Sequence, residues 1–421
     1  MPSTEAYIRK HLRFNFAIGM LDGGLFGLGL GFGSFLAIIP LFVKQLSDSA
    51  LLIGLIPAIH NVGWQLPQLL TAGWVSRAKR YKPLVLLTTV HERIPYLGLA
   101  AVAWFLPHLT TSTALLLVFG LLIWQGLGSG FAANAWQTMV TKIMPRELHG
   151  TFFGTQAAAF NGLAGISAII AGFILEKMDS PLNFTICFLS TFLAMALSYT
   201  VVAQTREPET LPQPAESNTA FLGQSWAILQ RDRNFAIFLG VRSLSQFASM
   251  AFAFYLIYGV KYFGMNDAIA GIMTGFLLVS QILFSLIMGR LGDRWSHRNM
   301  MVVGALAATL SAVVAWLATS LEWFYPVFLL EAVAGVAIWT VPLALTISFA
   351  KEHERPLYIG LSNTITAPAT ILAPVFGGWL ADTIGFNATF LISAACGLLM
   401  AIMLVLFVKD PVTPAIGTET I

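Results

Sequence analysis

Twelve apolar runs, each close to the length a helix needs to cross a bilayer, set the strongest limit on what this chain can fold into. A helix rises about 1.5 Å per residue, so about 20 apolar residues cover the roughly 30 Å of hydrocarbon. The runs lie near 14–43, 50–76, 83–106, 112–141, 152–175, 183–203, 235–263, 267–289, 299–320, 323–349, 357–381 and 387–408. Composition agrees: 57% of residues are hydrophobic and 10% charged, whereas an ordinary soluble domain carries about 25% charge. The expected fold class is an all-α integral membrane protein of 12 transmembrane helices, with the lipid bilayer as its first partner.

The basic residues then orient the chain. With the N-terminus cytoplasmic, the inside segments hold eighteen Lys and Arg, from Arg9 to Lys409, and the outside segments hold three, Lys44, Lys177 and Lys261. That bias obeys the positive-inside rule, and an even number of spans returns the C-terminus to the same side. A multi-pass protein of the plasma or inner membrane with both termini cytoplasmic is expected. A thiol reagent that cannot cross the membrane should then label Ser49→Cys and spare Ser217→Cys. Topology accounts for the basic clusters, so no nucleic-acid partner is expected. The first run is too long for a signal-peptide core and is read as a retained span.

Other chemistry finds little footing. Cys187 and Cys396 fall inside apolar runs, where they read as small packing residues. No Cys/His spacing suits zinc, and no Gly-rich loop is followed by Lys-Ser or Lys-Thr. Neither metal nor cofactor is expected, nor an enzyme activity, nor an ATP-driven pump. Asn183-Phe184-Thr185 and Asn387-Ala388-Thr389 have the form of glycosylation acceptors but open spans, where helix capping by the Asn is expected.

The last six runs echo the first six. Val43-Lys44 and Gly54 match Val260-Lys261 and Gly271 at an offset of 217, and Gln65 and Gly73 match Gln281 and Gly289 at 216. Gly154 and Gly172 match Gly360 and Gly378 at 206, with Phe152 over Tyr358 and Glu176 over Asp382. The smooth drift argues for two homologous six-helix halves related by an axis along the membrane normal, with a substrate site between them near the midplane. The expected organisation is an N-terminal bundle over 1–203, a cytoplasmic linker over 204–234 and a C-terminal bundle over 235–421. Residues 204–220 are Pro-rich and polar, the composition of a flexible linker, and 221–233 has the pattern of a short amphipathic surface helix.

Gly289-Arg290-Leu291-Gly292-Asp293-Arg294-Trp295-Ser296-His297-Arg298 resembles the loop signature of the major facilitator superfamily: a Gly, a Leu, Asp-Arg and a basic end. Ser296 stands where the family usually has Gly. The equivalent stretch in the first half, from Gly73 to Lys82, keeps the Gly and the basic end but carries Arg77 in place of the acidic residue. Trp124-Gln125-Gly126-Leu127-Gly128 is similar to a motif of proton-coupled drug exporters, with Leu122 where their Arg would stand. Ala373-Pro374-Val375-Phe376-Gly377-Gly378 is similar to those exporters' Gly-Pro motif, although it lies in the eleventh run and not the fifth. The resemblance spans the whole chain through helix count, linker and repeat. It implies two pseudosymmetric six-helix bundles and a gating motif of Gly289, Asp293, Arg294 and Arg298 with Gly73 and Arg77. By the same resemblance Asp293 faces the start of the fifth span near Thr151 and Phe152. Arg77 offers no such anion to the eleventh, so closure at that face is expected to be latched mainly on one side.

Five charged groups, Asp22, Glu92, Arg93, Arg242 and Glu331, lie well inside the runs, where insertion scales charge about 2.5–3.5 kcal/mol each at a helix centre. Asp22, Glu92 and Arg93 share one three-helix group, and an intramembrane ion pair of Arg93 with Asp22 is the simplest reading. Glu331 is the first candidate for proton coupling. The resemblance puts the fourth and tenth helices on the central cavity, pseudosymmetry sets Glu331 opposite Gln125, and a carboxyl in apolar surroundings can take and release a proton near neutral pH. A bland alternative is a hydrogen bond to Tyr325 or a neighbouring hydroxyl. Asp22 and Arg242, on the first and seventh helices, are a candidate switching pair. Gln246, Tyr255, Trp339, His60, Asn61, Gln65 and Asn161 complete the cavity candidates. Each has an ordinary packing role as its alternative, and a satisfied neutral imidazole is the default for His60.

The resulting expectation is a monomeric secondary active transporter that moves a small organic solute by alternating access, coupled to protons. Export of lipophilic compounds, or a non-transporting scaffold or sensor on the same fold, are the alternatives.

Overall fold

The computed structural model describes residues 4–47, 49–209 and 218–411, and every regular element among them is helical. Ten helices among these residues are long and apolar enough to cross a membrane. The second span is split into Ala50–Gln65 and Gln68–Ser76, because Pro67 has no N–H to continue the ladder. The third, Lys82–Trp104, is long enough, but His91, Glu92 and Arg93 dilute its apolar character. Together these make the twelve expected spans.

Three further spans are broken. The first consists of Thr4–Phe32 and Ile38–Leu46. The seventh runs as Arg233–Ala248, a 3₁₀ segment Met250–Phe254 and Tyr255–Phe263, ending at Gly264 with φ 65°. The tenth breaks at Thr340, between Phe324–Trp339 and Val341–Phe349, with Pro342 in the first turn of the second piece. Such breaks are tolerated at membrane depth where protein groups satisfy the freed backbone. At the second span's break, Thr364 from the other half lies 3.4 Å and 3.3 Å from the carbonyls of Gln65 and Leu66 as their donor.

The repeat extends to individual hydrogen bonds at the basic face, beyond what the spacing of glycines suggested. Arg206-Glu207-Pro208 follows the sixth span as Lys409-Asp410-Pro411 follows the twelfth. Asn15 exchanges two hydrogen bonds with the Arg206 backbone at 2.8 Å and 3.0 Å, and Asn234 does the same with Lys409 at 2.8 Å and 2.8 Å. Lys82 Nζ donates to the Ala203 and Thr205 carbonyls, and Arg298 donates to those of Leu404 and Val405. A cation at a helix C-terminus is favoured by the free carbonyls and the dipole.

The acidic partners complete the pattern. Glu207 accepts from the Tyr81 and Lys82 N–H groups at 2.8 Å each, so it caps the third span, while Asp410 accepts from Ser296, the N-cap residue of His297–Leu317. Lys142 Nζ lies 2.8 Å from Glu207, with the two side chains 2% and 0% exposed. Burial and the adjacent Glu207 push the Tyr81 hydroxyl up to about 12. The expectation of a flexible linker from 204 onward therefore fails over 204–209, where buried polar pairing outweighs a composition rich in Pro and Glu; 210–217, with Ser217, lies outside the described residues. Removing one member of a buried pair leaves the other uncompensated, so Glu207→Ala should cost about 3–5 kcal/mol. Asp410 is exposed, and Asp410→Ala should cost no more than about 1 kcal/mol. Thermal unfolding of the two variants in detergent checks the contrast.

Two smaller expectations change. The amphipathic helix spans Asn218–Arg231, with Trp226 outward and Ile228 packed into the core of the second half. Asn183 and Asn387 are not N-caps: Pro181 and Gly385 occupy those positions, and the Asn183 amide donates to the Met178 carbonyl.

The halves meet at the basic face and part at the opposite one. At the fifth and eighth spans, His149–Lys177 and Asp267–Arg294, glycines bring backbone onto backbone: a Cβ at Gly154 would overlap the Ser285 carbonyl, and one at Gly289 the Gly150 carbonyl. Farther along the same two helices, Gly165, Gly172, Gly271 and Gly275 face open space. The second junction is less tight. A Cβ at Gly360 on Arg355–Thr383 would sit 3.0 Å from Leu69 Cα. The molecule is thus closed on the face bearing the N-terminus and open on the other.

Candidate functional site

Between the halves lies a cavity of about 520 Å³, within the range of small-molecule sites. It is lined mainly by the first half. Aromatic rings come from Phe26, Trp64, Trp136, Phe153, Phe160 and Trp339, and amides from Asn61, Gln65, Gln137, Gln156, Asn161 and Asn363. Rings give area at low entropic cost, and amides offer both donors and acceptors. The second half supplies Arg242, Trp339, Thr340, Leu343, Asn363, Thr366 and Thr370.

Asp22, Glu92 and Arg93 all reach the cavity wall and are buried together. Arg93 lies 3.6 Å from Glu92 Oε2 and donates to Ser198 Oγ at 3.0 Å, to the Thr89 and Met195 carbonyls, and to the Thr89 hydroxyl. The Asp22–Arg93 pair expected from sequence is indirect. Ser198 donates at 2.6 Å to Asp22 Oδ1, so the hydroxyl relays between carboxylate and guanidinium. Trp136 Nε1 donates to the other Asp22 oxygen at 3.2 Å, and Arg93 stacks over Phe26 and Tyr199. Two carboxylates share one guanidinium here, so one bound proton would bring the cluster to neutrality.

The remaining candidates separate. His60 and Asn161 line the cavity with Trp339. His60 stacks on Phe35 at 3.9 Å between ring centroids, and its Nδ1 lies 3.2 Å from Gln125 Oε1. Gln125 itself is buried behind it, off the wall. Gln246 is likewise buried, and its Oε1 accepts from Thr370, whose hydroxyl also contacts Gln65 at 3.3 Å. Tyr255 lies in an aromatic core with Phe328 and Phe390 and accepts from Ser311 at 2.7 Å. Glu331 is buried but does not line the cavity, and its Oε2 has no partner among the described residues. Arg242 and Asp22 share the cavity without an ion pair; Arg242 binds Ser362 and Asn363.

At the closed face, Asp293 accepts from the N–H groups of Gly150 at 2.7 Å and Thr151 at 2.5 Å, the first turn of the fifth span. His297 Nε2 is 3.3 Å from the same carboxylate. Gly289 makes the close approach beside it, Arg294 is exposed, and Arg298 serves the twelfth span's end as described. On the other side, Gly73 accepts from Ser76, and Arg77 is the half-buried residue ending Gln68–Ser76. Groups outside the loop motif also bridge that junction. Asn134 donates to the Gln68 and Pro356 carbonyls at 2.9 Å, Arg355 to the Thr141 carbonyl at 2.9 Å, and Asn363 to Gln68 Oε1 at 2.6 Å. Both junctions are therefore tied, one by a carboxylate and one by amides and an arginine, which corrects the expectation of closure mainly on one side.

The sequence profile of the Major Facilitator Superfamily matches residues 92–266 and 238–420. The chain belongs to that superfamily. The multidrug resistance efflux pump PmrA of Streptococcus pneumoniae is 27% identical over 154 residues, 36% of this chain and 38% of PmrA, so this likeness spans less than half of the relative's length. The uncharacterised MFS-type transporter YfkF of Bacillus subtilis is 24% identical over 379 residues, 88% of this chain and 90% of YfkF. The fucose:proton symporter FucP of E. coli superposes with a TM-score of 0.76 at 15% identity, covering 94% of this chain and 98% of FucP. At that identity the likeness concerns the fold, and the fold is that of a superfamily transporter with a central cavity.

Proposed function

We propose that this major facilitator chain is a secondary active transporter that moves a small organic solute by alternating access, coupled to protons. The observation that carries the reading is the pair of carboxylates, Asp22 and Glu92, on the wall of an amide- and aromatic-lined cavity with one guanidinium between them. A proton bound there is exposed to whichever side the cavity opens, which is what coupling requires. Asp22 takes precedence over Glu331 as the proton carrier because it meets the cavity. Purified protein in proteoliposomes should accumulate its solute when a pH gradient is imposed and only equilibrate it when the gradient is collapsed. Equal uptake under both conditions would exclude proton coupling.

A second reading, export of lipophilic compounds, draws on the six aromatic rings around the cavity and on the likeness to PmrA. In the proposed orientation both termini are cytoplasmic in a plasma or inner membrane, so the closed face is the cytoplasmic one. An impermeant thiol reagent on intact cells should label Ser49→Cys and miss Gly223→Cys, a position with open space around it on the linker helix. Reversed labelling would overturn the orientation.

A further inference from the structure

Arg242 is a charge on the cavity wall that the protein leaves unanswered. A guanidinium stays protonated in proteins. Its Nη1 donates to two neutral oxygens, Ser362 Oγ at 2.6 Å and Asn363 Oδ1 at 3.3 Å. Its buried Nε has no acceptor, and no carboxylate pairs with it among the described residues. The carboxylates on the cavity wall are engaged elsewhere, Asp22 by Ser198 and Trp136 and Glu92 by Arg93, while Glu331 is buried off the wall and forms no ion pair with Arg242. An uncompensated cation at this depth is costly, and such groups in transporters face the substrate path.

The edge of the guanidinium left over, Nε with Nη2, would take an oxyanion through two parallel hydrogen bonds once a turn of the side chain brings the buried Nε to the cavity. We propose that Arg242 anchors the carboxylate of an organic anion, the body of which lies along the aromatic wall that includes Trp339. The inference rests on reading the cavity as the solute site, and it deepens that reading by naming the solute's charge. It also gives the proton a purpose. Asp22 and Glu92 repel an incoming anion until a proton neutralises one of them, so anion and proton enter together more readily than either alone.

The test uses the full-length protein in detergent at neutral pH, with no gradient, and monocarboxylates from acetate to phenylacetate and indole-3-acetate, each paired with its primary amide. Thermal unfolding and tryptophan quenching should report binding of at least one carboxylate but not of its amide. Arg242→Gln should weaken that binding about 30-fold or more. Arg242→Lys, which keeps the charge without the fork, should weaken it less, and it also serves if the Gln variant fails to fold. Amides binding as well as acids, unchanged affinity in both variants, or no carboxylate binding to the wild type would each overturn the anchor. Proton-driven uptake of a neutral solute would meanwhile leave the transport reading standing.

Discussion

Asp22→Asn is expected to abolish accumulation driven by a pH gradient while solute exchange without a gradient continues. With one proton per solute, a gradient of one pH unit supports about tenfold accumulation, because one pH unit and a tenfold concentration ratio are the same free energy. The Asn side chain keeps the size and still accepts one of the two hydrogen bonds, from Ser198 or from Trp136, but has no titratable proton to exchange. Internal and external solute should therefore level at equal concentration. Glu331→Gln is the control, since that carboxyl is buried off the cavity wall. Wild-type accumulation by Asp22→Asn together with loss in Glu331→Gln would move the proton to the tenth span.

The contrast between these two acids shows what the sequence can carry. Pseudosymmetry set Glu331 opposite Gln125, and both are buried behind the cavity, Gln125 against His60 and Glu331 without a partner on Oε2. A repeat offset reports depth along a helix; the angle around the helix depends on packing, which a single apolar run does not encode. Asp22 and Arg93 were legible as neighbours in depth. Their link through Ser198 was not, since nothing in the sequence sets Ser198 apart from Ser190 in the same span and only helix packing brings it between them.

Span count and repeat were legible because hydrocarbon thickness fixes run length and small residues mark helix contacts. Gly154 and Gly360, matched by offset, both sit where a helix of one half touches the other. Linker composition misled for the opposite reason. Glu207 and Lys142 each look like ordinary surface charges in sequence, yet the ends of the third, fourth and sixth spans converge to bury them together. The match of Arg206-Glu207-Pro208 to Lys409-Asp410-Pro411 was the available signal for that tie.

Closure of the basic face gives the second large effect. Asp293 bonds two N–H groups that the fifth helix cannot satisfy within its own ladder, and its carboxylate meets the positive end of that helix's dipole. In a partly buried geometry such a contact contributes up to about 2 kcal/mol, a factor of about 30 in the balance between the state closed at this face and the state open there. Asp293→Asn keeps the size but presents only one acceptor oxygen and no charge, so it should shift the population toward opening by a sizeable part of that factor. Gly154→Leu should act in the same direction by pressing on the Ser285 carbonyl, although the acidic residue is untouched. Arg77→Gln should do much less, because the second junction is held by Asn134, Arg355 and Asn363. Asn134→Ala is the variant that should loosen that side, and combining it with Asp293→Asn should open the face further than either change alone. Distances between spin labels across the basic face decide the matter. A shift for Arg77→Gln as large as for Asp293→Asn would refute the division of labour between the two junctions, and no shift for Asp293→Asn would show that the carboxylate is not what keeps this face closed.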